Sequence, residues 1–252
     1  MEITRAQWNK YINNLGKCSE TAKELVKKYI ETHDVDSEEG RDALIRYCYS
    51  LATKYGEAAT ELACRMYDFI SEMEGAGVDP AEPAEVSDYD EVAKAVNGTL
   101  KSLLRAELVA GAISRIVKLA GQDTTLRNAI RDHAYYAWIP VGDTCPYCLQ
   151  IAAEGWNPAS RRILSGGHAD HIHGNCNCAF SIKHNKDTDY DFYDPEEYAE
   201  VFEDAEGNTS GEKFNAVRRM MYQRDRDTIL AQKRAVYAET VAAEENLEDL
   251  DD

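Results

Sequence analysis

Apolar residues recur at helical spacing over most of the chain. Between residues 4 and 32, Trp8, Tyr11, Ile12 and Leu15 share one face and Leu25, Tyr29 and Ile30 another. The pattern predicts one or two helices, with Gly16 and Ser19 punctuating the gap. Asp36-Ser37 offers an N-cap for the next helix, and Glu38 and Glu39 lie near its positive end. That helix carries the clearest signal. Leu44, Cys48, Leu51, Tyr55, Ala58, Leu62, Met66 and Phe69 follow one another three or four apart, a narrow apolar seam. A seam of this kind wants a partner helix. A bundle face within the chain is the favoured reading, and self-association through the Leu44–Phe69 helix is the other.

Gly75 to Tyr89 holds glycines, prolines and acids and reads as a linker. Helix resumes near Glu91 and runs to about Leu119, with a break around Gly98; Val109, Ala112, Ile113 and Ile116 line one face. Gly121 is expected to close it, and Asp123-Thr124 to cap a further helix through Arg131. The character then changes. Residues 134–141 are aromatic and β-prone, Gly142-Asp143-Thr144 forms a turn, and Ala179–Lys183 gives a second short strand. Asp194-Pro195 starts another helix. A locally basic helix runs from Lys213 to about Ala238, followed by an acidic tail expected to fray. The expected fold is mainly α with a small α+β zinc-knuckle module, built on an N-terminal helical bundle or long helices. Four regions follow: 1–74 helical, 75–90 linker, 91–190 helical plus knuckle, and 191–252 helical with the acidic tail. No internal repeat is present.

Charge changes the picture of partners. The 252 residues carry 46 acids against 28 Lys and Arg, a net charge of −18, so phosphate backbones are repelled by most of the surface. Docking onto proteins fits better than binding to naked DNA. No apolar run reaches the roughly 18 residues of a membrane span. Met1–Arg5 is not followed by the apolar stretch of a signal peptide, so synthesis in a cytoplasm is expected. Thiols stay reduced there, which favours metal ligation over disulfides for clustered cysteines.

Four of the seven cysteines and three of the six histidines fall within residues 145–178. Cys145 and Cys148, two residues apart, can place both sulfurs on one zinc at Zn–S distances of about 2.3 Å. A 24-residue loop leads to His173, Cys176 and Cys178. The ligand set expected is Cys145 and Cys148 completed by two of those three. Cys176 and Cys178 share a side if the segment is extended. His168 and His171 are candidates for a supporting role, with Asp170 able to orient an imidazole. A sulfur-rich, closed site is a structural one, so no catalytic residue is assigned. Cys18, Cys48 and Cys64 stand apart in helical patterns and read as small buried hydrophobes. His33, His133 and His184 read as surface or helix residues.

Asp143-Thr144-Cys145-Pro146-Tyr147-Cys148, Gly155-Trp156 and His168-Ala169-Asp170-His171-Ile172-His173-Gly174-Asn175-Cys176-Asn177-Cys178 together resemble the Mu F-like, or head-morphogenesis, minor head proteins of tailed phages and Gram-positive prophages. A looser likeness touches 41–69, 123–138 and 232–235. Gly174 replaces a proline common in relatives, and Asn177 a charged residue; neither change removes a ligand. The resemblance implies a non-enzymatic, zinc-binding virion component, made in the host cytoplasm and located in the phage head near the portal. Its partners would be the portal, the major capsid protein or the scaffold.

The rival is an HNH-like metal-dependent nuclease. Asp170-His171-Ile172 resembles its metal-binding strand, and Asn185-Lys186 supplies a late Asn. In that reading His171 would activate water beside a magnesium ion. Only four residues separate His171 from Cys176, too few for the usual turn and helix, and the −18 charge suits a DNA enzyme poorly. An effector or toxin domain is a third reading. No Gly-rich phosphate loop or Ser/His/Asp motif supports it, and metal ligation consumes the candidate cysteine nucleophiles.

Overall fold

The computed structural model describes residues 3–102, 104–142, 144–162 and 178–248. The chain divides into two compact units, Met1–Tyr198 and Ala199–Asp252. In the first unit, α1 (Arg5–Thr32) opens on a capping box, in which Thr4 and Gln7 satisfy each other's backbone N–H groups. Helix α2 (Glu38–Glu74) starts at Ser37, whose hydroxyl accepts from the Gly40 N–H, and ends at Gly75. Gly75 takes the left-handed conformation (φ 65°) that closes a helix without a Cβ penalty. Then follow α3 (Tyr89–Thr99), α4 (Arg105–Arg131), β1 (Tyr135–Ile139), α5 (Pro146–Ala152), β2 (Asn157–Pro158), β3 (Ala179–Lys183) and the start of α6 (Pro195–Glu203). The second unit holds the rest of α6 and α7 (Ser210–Glu248). The described chain is therefore mainly helical with a small antiparallel sheet in the order β2-β1-β3.

Helices α1, α2 and α4 pack on one another, and α3 lies against α2 and α4. Their shared core is aliphatic: Ala22, Val26, Leu44, Cys48, Ile113 and Val117 are all fully buried. A second core is aromatic. Trp8, Trp138, Phe180, Tyr190, Phe192 and Tyr193 gather around β1 and β3. Trp138 meets Phe180 edge-on at 4.7 Å, and Trp8 stacks on Phe192 at 4.8 Å, geometries that aromatic quadrupoles favour. β1 and β3 pair along their whole length, Tyr135 with Lys183 through Ile139 with Ala179, and every residue of β3 is buried.

Five expectations are corrected. Gly16 and Ser19 do not break the first helix: α1 runs through both, and the Ser19 hydroxyl donates to the Gly16 carbonyl. The seam on α2 holds at Leu44, Cys48, Leu51 and Met66 but not throughout. Ala58 is exposed, and burial passes instead through Gly56, Ala59, Ala63, Tyr67 and Ile70. A straight helix of 3.6 residues per turn slides off a 3.5-residue repeat by about 20° per heptad. Gly121 does not close a helix; it lies inside α4, which continues to Arg131. A Cβ at Gly121 would sit 3.3 Å from the Ala59 carbonyl oxygen, so glycine here permits close approach of α4 to α2. Asp123 and Thr124 do not cap a further helix but lie inside α4, where Thr124 and Thr125 donate back to the carbonyls of Ala120 and Gly121. Helix α7 also extends past Ala238 to Glu248.

Residues 75–88, between α2 and α3, are fastened to α2 and α4. The Ala81, Glu82 and Ala84 N–H groups donate to the side chains of Asp68, Asn128 and Thr124, and Arg131 donates to the Asp79 and Pro80 carbonyls. Polar side chains at helical positions thus satisfy an irregular backbone that water does not fully reach.

Candidate metal centre

β1 delivers the chain to Gly142, which takes φ 66°, and the Thr144 hydroxyl donates to its carbonyl. Cys145 is then the N-cap of α5 in extended conformation (φ −77°, ψ 158°), and Pro146 occupies the first helical position, where its fixed φ suits the helix and no N–H is missed. Cys148 follows one turn later. The two Sγ atoms lie 3.5 Å apart, far beyond the roughly 2.05 Å of a disulfide. Two sulfurs at tetrahedral angles on one zinc would be about 3.8 Å apart. Cys148 is buried and Cys145 half-buried.

Cys178 sits immediately before β3 and is buried. The Gln122 side-chain amide, itself buried on α4, donates to the Cys178 carbonyl at 2.8 Å and ties this end of the knuckle to the helical core. A cavity of about 230 Å³ adjoins both, bounded by Ile12, Leu15, Gly16 and Ala59. Among the described residues, no three His, Cys, Asp or Glu side chains gather closely enough to hold a metal. The structure brings Cys145 and Cys148 together. His168, Asp170, His171, His173 and Cys176 lie outside the described residues.

Of the isolated cysteines, Cys48 and Cys64 are buried as expected, whereas Cys18 is half-buried at the edge of the helical core. Burial pushes the Cys48 thiol up to about 12 and the Cys64 thiol up to about 11, so both stay protonated and unreactive. Asn185, the late Asn of the nuclease reading, is engaged in a turn: its N–H donates to Glu74 and its side-chain carbonyl accepts from the Asp187 N–H.

One polar cluster escaped the sequence. Tyr67 donates to Asp132, which also pairs with Arg131; Ser71 and the His184 Nε2 are 2.9 Å apart; Glu74 accepts from the His184 and Asn185 N–H groups and from the Tyr190 hydroxyl. Ser71 and His184 have the separation of a nucleophile and its base, but the Ser71 hydroxyl also donates to the Tyr67 carbonyl at 2.9 Å. With that proton on the Tyr67 carbonyl, it is the Nε2–H tautomer of His184 that would donate to Ser71, which leaves the hydroxyl without a base. The cluster fixes the end of β3 to α2. His184 and the Asp132 that flanks Tyr67 come from distant segments, so no spacing announces them.

The fold and the paired thiols define a mainly helical protein with a small antiparallel module that presents a two-cysteine knuckle. A family model described as VG15 protein matches residues 2–205, and the chain belongs to that family, a family of phage proteins. No curated protein and no solved structure matches it. No described helix is long and apolar enough to cross a membrane.

Proposed function

We propose that this chain is a structural component of the phage head, a minor head protein stapled by zinc. Membership of a phage protein family over residues 2–205 is the observation that carries the reading. The −18 charge and the helical core suit a protein that docks on the portal, the major capsid protein or the scaffold. Cys145 and Cys148 would hold the zinc with two of His173, Cys176 and Cys178. The 3.5 Å sulfur separation is close to what a shared tetrahedral ion needs. Such an ion would cross-link the start of α5 to the segment before β3. There it would supply stability and no reaction.

Two experiments test this. A tagged copy, produced during phage growth, should co-sediment with gradient-purified heads; recovery only among free proteins would overturn the head assignment. Purified protein should carry about one zinc per chain, and chelation should lower its melting temperature. Replacing Cys145 and Cys148 by serine should abolish both the metal and the chelator effect. A metal-free protein with an unchanged melt would remove the zinc. Magnesium-dependent plasmid cutting, lost in His171→Ala, would instead favour the nuclease.

A further inference from the structure

Helix α7 spans 39 residues, about 58 Å at 1.5 Å per residue. Within its own unit only the first turns are supported, where Val217 is buried and the Lys213 ammonium donates to the Glu203 carbonyl. From Arg218 onward no described side chain of α7 is buried, and Met220 and Tyr222 are 54% and 44% exposed. A helix this long draws most of its stability from packing rather than propensity, so one whose described side chains from Arg218 to Arg234 are all unburied calls for a partner.

The charges along α7 say which partner. Residues 213–234 carry seven Lys and Arg against two Asp, whereas 235–248 carry four Glu and no cation. This order opposes the helix macrodipole, which favours acids near the N-terminus and cations near the C-terminus. The one ion pair seen among the described residues of α7, Arg224 with Asp225, leaves the segregation between the two halves intact. In a second copy laid antiparallel over the full length, Lys213, Arg218 and Arg219 of each helix run along the stretch that holds Glu239, Glu244 and Glu245 of the other, and the two macrodipoles oppose.

We propose that α7 pairs antiparallel with α7 of a second copy of this chain, with the charge order setting the orientation. This goes beyond the head-protein reading and does not depend on it. Sedimentation of the full-length protein tests it. The wild type should be dimeric at physiological ionic strength and shift toward monomer near 1 M salt, where the screening length is about 3 Å. Arg218→Glu with Arg219→Glu takes residues 213–234 from a net +5 to +1; Glu244→Lys with Glu245→Lys takes residues 235–248 from −4 to neutral. Each double variant should weaken its own dimer by about tenfold or more, and an equimolar mixture of the two should recover part of it, because one of its two contacts keeps the wild-type charges. That recovery also shows that both variants remain folded. A monomeric wild type, a dimer untouched by either variant or strengthened by salt, or a mixture that stays apart would overturn the proposal. So would a monomer that binds duplex DNA through Arg218 and Arg219.

Discussion

The aliphatic core between α1, α2, α3 and α4 and the aromatic core around β1 and β3 are comparably dry, yet they are assembled by different means. In the first, small and branched side chains at helical spacing let long helices approach closely, as where Gly121 meets Ala59. In the second, large rings from α1, β1, β3 and residues 190–193 fill space between short elements, and side-chain hydrogen bonds secure the edges. Helical period announces the faces that meet in the helical core, even where they come from segments as distant as α1 and α4. The sheet core depends on contacts between residues more than a hundred positions apart, such as Glu74 with Tyr190.

The largest expected effects come from emptying either core. Trp138→Ala should cost about 3–5 kcal/mol and Leu44→Ala about 2–5 kcal/mol, read by denaturant unfolding. If the two cores are independent, the double variant should match the sum within about 0.5 kcal/mol. A larger coupling would merge them into one core.

Two glycines sharpen the picture at intermediate size. Gly121→Val pushes atoms against the Ala59 backbone and should cost about 1–3 kcal/mol. Gly16→Ala meets nothing within 4 Å, so the gain in helix propensity should stabilise α1 by up to about 1 kcal/mol. Thermal melts that showed the same sign for both would refute the close-packing role of Gly121.

The smallest effect is a pH dependence confined to the sheet core. Burial lowers the His184 pKa, and Glu74 and Asp132 offset this only in part, so its folded value lies below the ordinary 6.5. The unfolded chain then binds more protons below that point, and the His184 contribution is lost as pH falls from about 6.5 through the folded value. Burial alone would raise the Asp132 carboxyl, but hydrogen bonds from Arg131 and Tyr67 outweigh it and hold the group below the ordinary carboxylate range. Its contribution persists above about 3.9 and fades at lower pH. His184→Gln should flatten the fall in melting temperature between about pH 7 and pH 5 and leave the more acidic step in place. An unchanged slope would exclude His184 as its source.

Much of the fold was legible in the chain. The apolar period placed the long helices, Ser37 marked the start of α2, and β-prone aromatics marked β1. The Cys145–Cys148 spacing predicted neighbouring sulfurs, because three positions is one helical turn. Glycine was harder to read. Gly16, Gly75 and Gly121 look alike as letters, but only Gly75 ends a helix. Propensity reports how a residue strains its own backbone, and it is silent about what that backbone must fit against.

The sequence by itself determined the kinds of element, the Ser37 cap of α2, the acidic charge balance and the paired thiols, since each follows from neighbours within a turn or two or from composition. Only the tertiary structure decided where the α2 stripe drifts, why α4 runs through Gly121, and how Ser71, Glu74, Asp132 and His184 come together. Those outcomes depend on which helices touch and at what depth, and that is set by packing the whole chain into one volume rather than by any local period.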